Sequence, residues 1–224
     1  MISIKNLIKF IGIFFLYFIS DIVYIIPLLM LKIDLNTLSL STQIALMVIG
    51  DLFVSIMLFL IYRKYLIEKW HDFKKNFNNY FETGVKVWLI GLGIMWVCNF
   101  ILAEFSPVKE AINENQVQTI ITTSPILAMM LTTIFAPINE EIIFRKSIQD
   151  FTKNKWLFII VSGLIFGYLH VSSSESLFDF LYIIPYGALG GAFAYLLSKT
   201  NNIYTTILMH MLHNGILTLI SIIL

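Results

Sequence analysis

A single cysteine, Cys98, is all the thiol chemistry this sequence has, so it can build no internal disulfide, Cys-based zinc site or iron–sulfur cluster. Charge is scarce too. Only 13% of the 224 residues are Asp, Glu, Lys or Arg, against roughly 25% in ordinary soluble domains, and the net charge is +1. A disordered tail, a coiled coil or a nucleic-acid binder needs far more charge, and +1 supplies no basic field for phosphates. The last hydrophobic run has no lysine, which disfavours a retinal Schiff base. No internal repeat is visible, and with it goes the best sequence pointer to an inverted-repeat transporter.

What the sequence has in abundance is apolar surface: 58% of residues are hydrophobic and the mean hydropathy is +0.83. A helix needs about 20 apolar residues to cross the ~30 Å hydrocarbon core. Seven runs qualify: Leu7–Leu31, Gln43–Tyr62, Gly84–Ala103, Ser124–Phe144, Trp156–His170, Leu177–Ser198 and Ile203–Leu224. The expected fold is therefore all-α, a polytopic bundle of about seven transmembrane helices. The first run follows Lys5 and Lys9 but has no small-residue cleavage site, so it is read as a retained span and not a signal peptide.

All lysines and arginines except Lys32 and Lys109 fall on one side of this arrangement. Cationic loops stay cytoplasmic, so the N-terminus is expected inside and the C-terminus outside. The two longest connections, Arg63–Thr83 and Glu104–Thr123, the latter carrying Glu104, Glu110 and Glu114, are expected as solvated or interfacial loops.

An ionisable side chain at a helix centre costs at least ~2.5 to 3.5 kcal/mol by insertion scales, so each one needs a partner or a task. Beyond Asp21, Asp51 and Asn99 the first three spans hold little, whereas the last four hold Glu140, Glu141, Arg145, His170, Asp179, His210, His213 and Asn214. Any chemistry belongs to the C-terminal half. Ser124 can cap the fourth helix and Pro125 suits its first position. Pro137 should kink that helix by freeing the carbonyl of Thr133. Glu141 and Arg145, at i and i+4, can pair on one face, leaving Glu140 turned about 100° away. Phe166 and His170 share the next helix with Gly163 and Gly167, a small-residue pair that lets another helix approach. His210 and Asn214 share a face of the last helix, and His213 lies off it. Gly187 and Gly191 read as packing, and Asp51 and Asp179 have no partner legible in the sequence.

At ~1.5 Å per residue from the basic boundary, Glu140 lies ~8 Å deep, His210 ~10 Å and His170 ~21 Å. The first two agree. His170 joins them only if its helix is tilted or begins below the membrane surface.

The series Glu140-Glu141-x-x-x-Arg145, Phe166-x-x-x-His170 and His210-x-x-x-Asn214 resembles the three motifs of the CPBP (CAAX protease and bacteriocin-processing, or Abi) family of intramembrane proteases. The likeness divides the chain into N-terminal helices and loops at 1–118 and a protease core at 119–224. It implies an endopeptidase whose site opens toward the cytoplasm or inner leaflet. Glu140 would activate water with His170 positioning it, Arg145 would pair with Glu141, and Phe166 would support the site. His210 and Asn214 would donate to the oxyanion, or His210 would ligate a metal. A zinc ion held by Glu140, His170 and His210 is the metalloprotease variant; catalysis by Glu140, His170, His210 and Asn214 without an obligatory metal is preferred.

Such chemistry suits amide hydrolysis, which needs a deprotonated water and stabilisation of a tetrahedral oxyanion. The expected partners are membrane lipid and a peptide or lipidated-protein substrate, of CAAX type or a bacteriocin or pheromone precursor, and no nucleic acid. The expected location is a bacterial plasma membrane. The alternative is a non-catalytic bacteriocin-immunity or scaffold protein that would keep its function in Glu140→Gln.

Overall fold

The structure, a computed structural model, describes residues 4–105, 112–174 and 176–224. Among these residues regular structure is helical throughout. The helices are α1 (Ile4–Phe18), α2 (Ile22–Met30), α3 (Leu40–Lys75), α4 (Phe77–Phe105), α5 (Ile112–Thr123), α6 (Pro125–Phe151), α7 (Lys155–Val171), α8 (Leu177–Phe180), α9 (Ile183–Thr200) and α10 (Ile203–Ile223).

The seven apolar runs map onto this order with differences. Five helical segments are long and apolar enough to cross a membrane: α3, α4, α6, α8 with α9, and α10. The first run is a bent pair, α1 and α2, meeting at 48° around Asp21. The elbow is admitted by Gly50, where a Cβ would lie 3.3 Å from the Ser20 carbonyl oxygen. The fifth run is α7, a shorter helix of 17 residues, or about 26 Å at 1.5 Å per residue.

The expected basic loop from Arg63 to Thr83 is helix instead. α3 continues for 36 residues to Lys75 and α4 begins at Phe77. At 1.5 Å per residue α3 is ~54 Å long, so its basic end runs well past a ~30 Å apolar core. A Phe73, Trp70, Tyr80 and Tyr204 cluster pins that extension to the start of α10. The expected polar loop before Ser124 is also largely α5. Lys109 and Glu110 lie outside the described residues.

Side chains are sorted as lipid dictates. Ile90, Trp96, Phe100, Ile160, Leu164 and Ile223 are exposed, while Asn139, Glu141, Arg145, Ser162, Thr206 and His210 are buried. With no water outside, the outer face must be apolar and polar groups must find partners inside.

Two contacts set the frame of the site. Gly163 and Gly167 of α7 lie against Gly187 and Gly191 of α9, so closely that a Cβ on Gly167 would come within 2.6 Å of the Ile183 carbonyl oxygen. Small residues allow backbones to meet where the hydrophobic effect cannot drive association. The second is a core of Val54, Leu58, Ile143, Phe144, Phe158, Leu197 and Ile203 that seals the basic end.

The expected kink at Pro137 takes another form. α6 is continuous, with a π-helical stretch at Met130–Phe135 just before the proline and a second at Ile142–Lys146. The Ala136 N–H reaches back five residues to Leu131, so the ladder widens and re-enters α-helix with Pro137 in its first turn, where no N–H is needed. Ser124 makes no side-chain cap; Pro125 does take the first helical position.

Candidate active site

α6, α7 and α10 bring the three motifs together. Its widened turns present Glu140 and Glu141 in different directions. Glu141 is wholly buried and pairs with Arg145 (Nε to Oε2 3.4 Å), as its i,i+4 spacing predicts. Arg145, also fully buried, lies on the Phe166 ring with its guanidinium carbon 4.2 Å from the centroid. A cation over a ring face is attracted by the quadrupole, most strongly where water is excluded.

Phe166 is a hub. Its ring contacts Arg145, packs tilted at 4.3 Å on His170 and meets His210 edge-on at 5.8 Å. Its carbonyl oxygen accepts from His170 Nδ1 at 2.8 Å. Gly190 provides the room, since a Cβ there would sit 2.8 Å from the ring. Helical side chains lean toward the N-terminus, and the His170 imidazole falls back over the turn of Phe166; it lines the same cavity as Glu140. Tyr186 stacks on its other face at 4.5 Å.

His210 does not face open space. Its Nδ1 donates to Glu141 Oε1 at 2.9 Å, and its Nε2 lies 3.9 Å from Glu140 Oε2, beyond hydrogen-bond length. It is 3% exposed, wedged behind the two carboxylates with Phe193 against its ring. In this arrangement the Nδ1 proton of His210 goes to Glu141, and its Nε2 lies toward Glu140.

A cavity of about 180 Å³ lies in front of Glu140 and is lined also by His170, His213, Asn214, Thr132 and Glu114. A water molecule's share of liquid volume is ~30 Å³, so several waters or an extended residue fit. Asn214 Nδ2 donates to the Thr132 carbonyl at 2.8 Å, leaving its second amide proton and its oxygen for other partners. Asn139, 1% exposed, anchors this part of α6 to α3: its amide donates to the Asp51 carbonyl at 3.1 Å and its oxygen accepts from Ser55 at 2.7 Å. The same Asn139 amide also reaches the Asp51 carboxylate at 3.5 Å, a partner the sequence did not reveal, and Asp179 accepts from Ser176 Oγ at 2.8 Å.

The zinc trio is not assembled. Among the described residues no group of three or more His, Cys, Asp or Glu side chains converges as metal ligands, and the Nδ1 of His210 is committed to Glu141. These residues do not fit a bound metal.

The cavity runs from Glu140 along α6 away from the basic end. The lining residues come from α4 (Met95), α5, α6 (Thr132, Ala136 and Glu140), the end of α7 (His170), the start of α9 (Tyr186) and the second half of α10 out to Ser221. Lys9, Lys146 and Asp150 meet at the basic end.

Thr132, Tyr186, Glu114 and His213 line the cavity beside the motif residues, and Trp88 reaches it only through His213. His213 had one visible signal, its place beside Asn214; Trp88, on a span with no motif, had none.

Residues 122–216 match the family model described as type II CAAX prenyl endopeptidase Rce1-like. The chain is 29% identical over 150 residues to "Putative membrane peptidase YdiL" of Bacillus subtilis, covering 59% of this chain and 58% of that protein. It is 28% identical over 116 residues to the UPF0177 protein YbdI of Lactococcus lactis, covering 47% of this chain and 63% of that one. The matches thus span about three fifths of the length of these relatives. No solved structure matches. The three motifs, their gathering around one cavity and the match across α6 to α10 agree: this chain, a multi-pass membrane protein, resembles the CPBP family over residues 122–216.

Proposed function

We propose that this chain is an intramembrane endopeptidase that hydrolyses membrane-associated peptides with a water activated by Glu140. The observation that carries the reading is Glu140 itself, a carboxylate at the wall of a cavity in the apolar bundle, with its neighbour Glu141 already neutralised by Arg145. A structural carboxylate would be expected to have the partner; Glu140 faces the space.

His170 supports this role through its tautomer. A carbonyl oxygen can only accept, so Nδ1 carries the proton toward Phe166 and the neutral ring presents a lone pair at Nε2. Nε2 accepts one hydrogen of a water whose other proton passes to Glu140. The water oxygen adds to the peptide carbonyl carbon, the carbonyl oxygen becomes an oxyanion, and the spare amide proton of Asn214 donates to it. On collapse the C–N bond breaks and Glu140 returns its proton to the leaving amine. His210 holds Glu140 and Glu141 apart from behind, and Glu141, Arg145 and Phe166 keep that arrangement in place.

For substrate class we favour unmodified small peptides, such as bacteriocin or pheromone precursors, over prenylated C-termini. Both relatives are bacterial, and a cavity of about 180 Å³, with Asn113, Thr132, Glu140, His170 and Asn214 among its lining, is small for a long isoprenoid chain. The basic end is placed in the cytoplasm of a bacterial plasma membrane, which turns the cavity toward the outer side.

The test is cleavage of membrane-tethered fluorogenic peptides, prenylated and unmodified, by the purified full chain in lipid vesicles. Wild type is expected to cleave the unmodified set at least as well, and Glu140→Gln, nearly isosteric, to be inactive at equal incorporation. Preference for the prenylated set would overturn the substrate class. No cleavage by wild type, with Glu140→Gln still protecting cells from a toxin, would replace the protease by the immunity reading.

A further inference from the structure

The neutral His210 ring carries its proton on Nδ1 toward Glu141, which leaves no N–H on it for an oxyanion, so the proposed reaction calls for a second donor beside Asn214. Trp88 of α4 lies 125 positions before His213 in sequence, yet its indole Nε1 donates to His213 Nδ1 at 3.4 Å, the two rings lying edge to face at 76°. An indole N–H can only donate. His213 Nδ1 is therefore an acceptor, and the neutral ring carries its proton on Nε2. Trp88 is not among the residues that line the cavity, whereas His213 is, so the edge opposite Trp88 is the one available to a substrate. His213 is otherwise enclosed, at 6% exposure, so its orientation is held by packing as well.

The two cavity imidazoles are thus complementary. His170 gives its proton to Phe166 and shows a lone pair; His213 takes a proton from Trp88 and shows an N–H. Water needs an acceptor and an oxyanion needs donors, and His213 is next in sequence to Asn214, which lines the same cavity.

We infer that His213, fixed by Trp88 as the Nε2–H tautomer, is a catalytic residue that donates to the scissile carbonyl oxygen, with Trp88 as its positioning residue. This rests on the protease reading above. The titratable groups facing the same cavity are Glu114, Glu140, His170 and Tyr186. None of them bonds His213 Nδ1, which Trp88 holds.

The test uses the same vesicles and the unmodified fluorogenic peptides. His213→Phe keeps a ring and loses the donor; kcat is expected to fall about 100- to 1000-fold with KM nearly unchanged, as for loss of one oxyanion donor. His213→Gln places an amide N–H near the original Nε2 and should recover activity to within about tenfold of wild type, whereas His213→Asn, whose amide mimics Nδ1, should not. Trp88→Phe should lower kcat about fivefold, the worth of one hydrogen bond, at constant KM. Equal kcat in wild type and His213→Phe, a loss confined to KM, or equal rescue by Asn and Gln overturns the assignment while leaving Glu140 in its role. Absence of cleavage by wild type removes the protease reading and this inference with it, and thermal melts of each variant in detergent separate misfolding from lost chemistry.

Discussion

His210 donates through Nδ1 to the inner carboxylate of Glu141 at 2.9 Å and leaves its Nε2 3.9 Å from the outer carboxylate of Glu140. One imidazole therefore spaces two adjacent glutamates that a regular helix would simply splay apart. Glu141 is held by Arg145 and His210 together, and Glu140 is free to face the cavity.

This geometry separates two roles for His210. Asn at 210 places its amide near the original Nδ1 and should keep the bond to Glu141, whereas Gln mimics Nε2 and should not. His210→Asn is expected to retain most of the thermal stability and a measurable fraction of cleavage, and His210→Gln to lose both. Melting curves beside peptide cleavage check this; better rescue by Gln would return His210 to the oxyanion.

Arg145 and Glu141 are wholly buried, so each depends on the other. Removing one partner of a buried pair typically costs about 3–5 kcal/mol, while replacing both by neutral groups of similar volume is far milder. Arg145→Met should be strongly destabilised, and Glu141→Gln with Arg145→Met should regain much of that loss. Denaturation in detergent measures both, and losses that simply add would contradict the coupling.

Gly167 and Gly93 make a matched pair. A Cβ at Gly167 would meet the Ile183 carbonyl at 2.6 Å and the Gly187 backbone at 2.9 Å, while one at Gly93 meets nothing within 4 Å. Gly167→Ala is expected to push α7 from α9, costing about 1–3 kcal/mol or more and displacing His170 with it. Gly93→Ala should be neutral or gain up to about 1 kcal/mol of helix propensity. Similar melting temperatures for the two would show that the α7–α9 contact is looser than drawn here.

Orientation is checked by labelling cysteines in a Cys98→Ala background with a membrane-impermeant maleimide. Arg63→Cys on the basic extension of α3 should react only after the cells are opened, whereas Asn36→Cys and Ser221→Cys should react on intact cells. The reverse pattern would place the cavity on the cytoplasmic side, as the family likeness implied.

Much of this architecture was legible from composition alone. Seven apolar runs located the helices because hydrophobic length is set by bilayer thickness, and the pairing of Glu141 with Arg145 followed from helical periodicity, a purely local property. Family motifs then placed Glu140, His170, His210 and Asn214 in one neighbourhood. Connections were less readable: polar, aromatic stretches such as 63–76 and 112–123 form helix because they pack on α10 and α6, which local composition does not encode.

Tertiary structure decided which ring nitrogen of His210 and of His213 carries the proton, whereas that of His170 follows from its own helix. A sequence fixes where a histidine sits along a helix, but its proton goes to whichever ring nitrogen its partner leaves available. Those partners are the Phe166 carbonyl for His170, the Glu141 carboxylate for His210 and the Trp88 indole for His213. The last two lie 69 and 125 residues away, brought close only by packing α10 against α6 and α4.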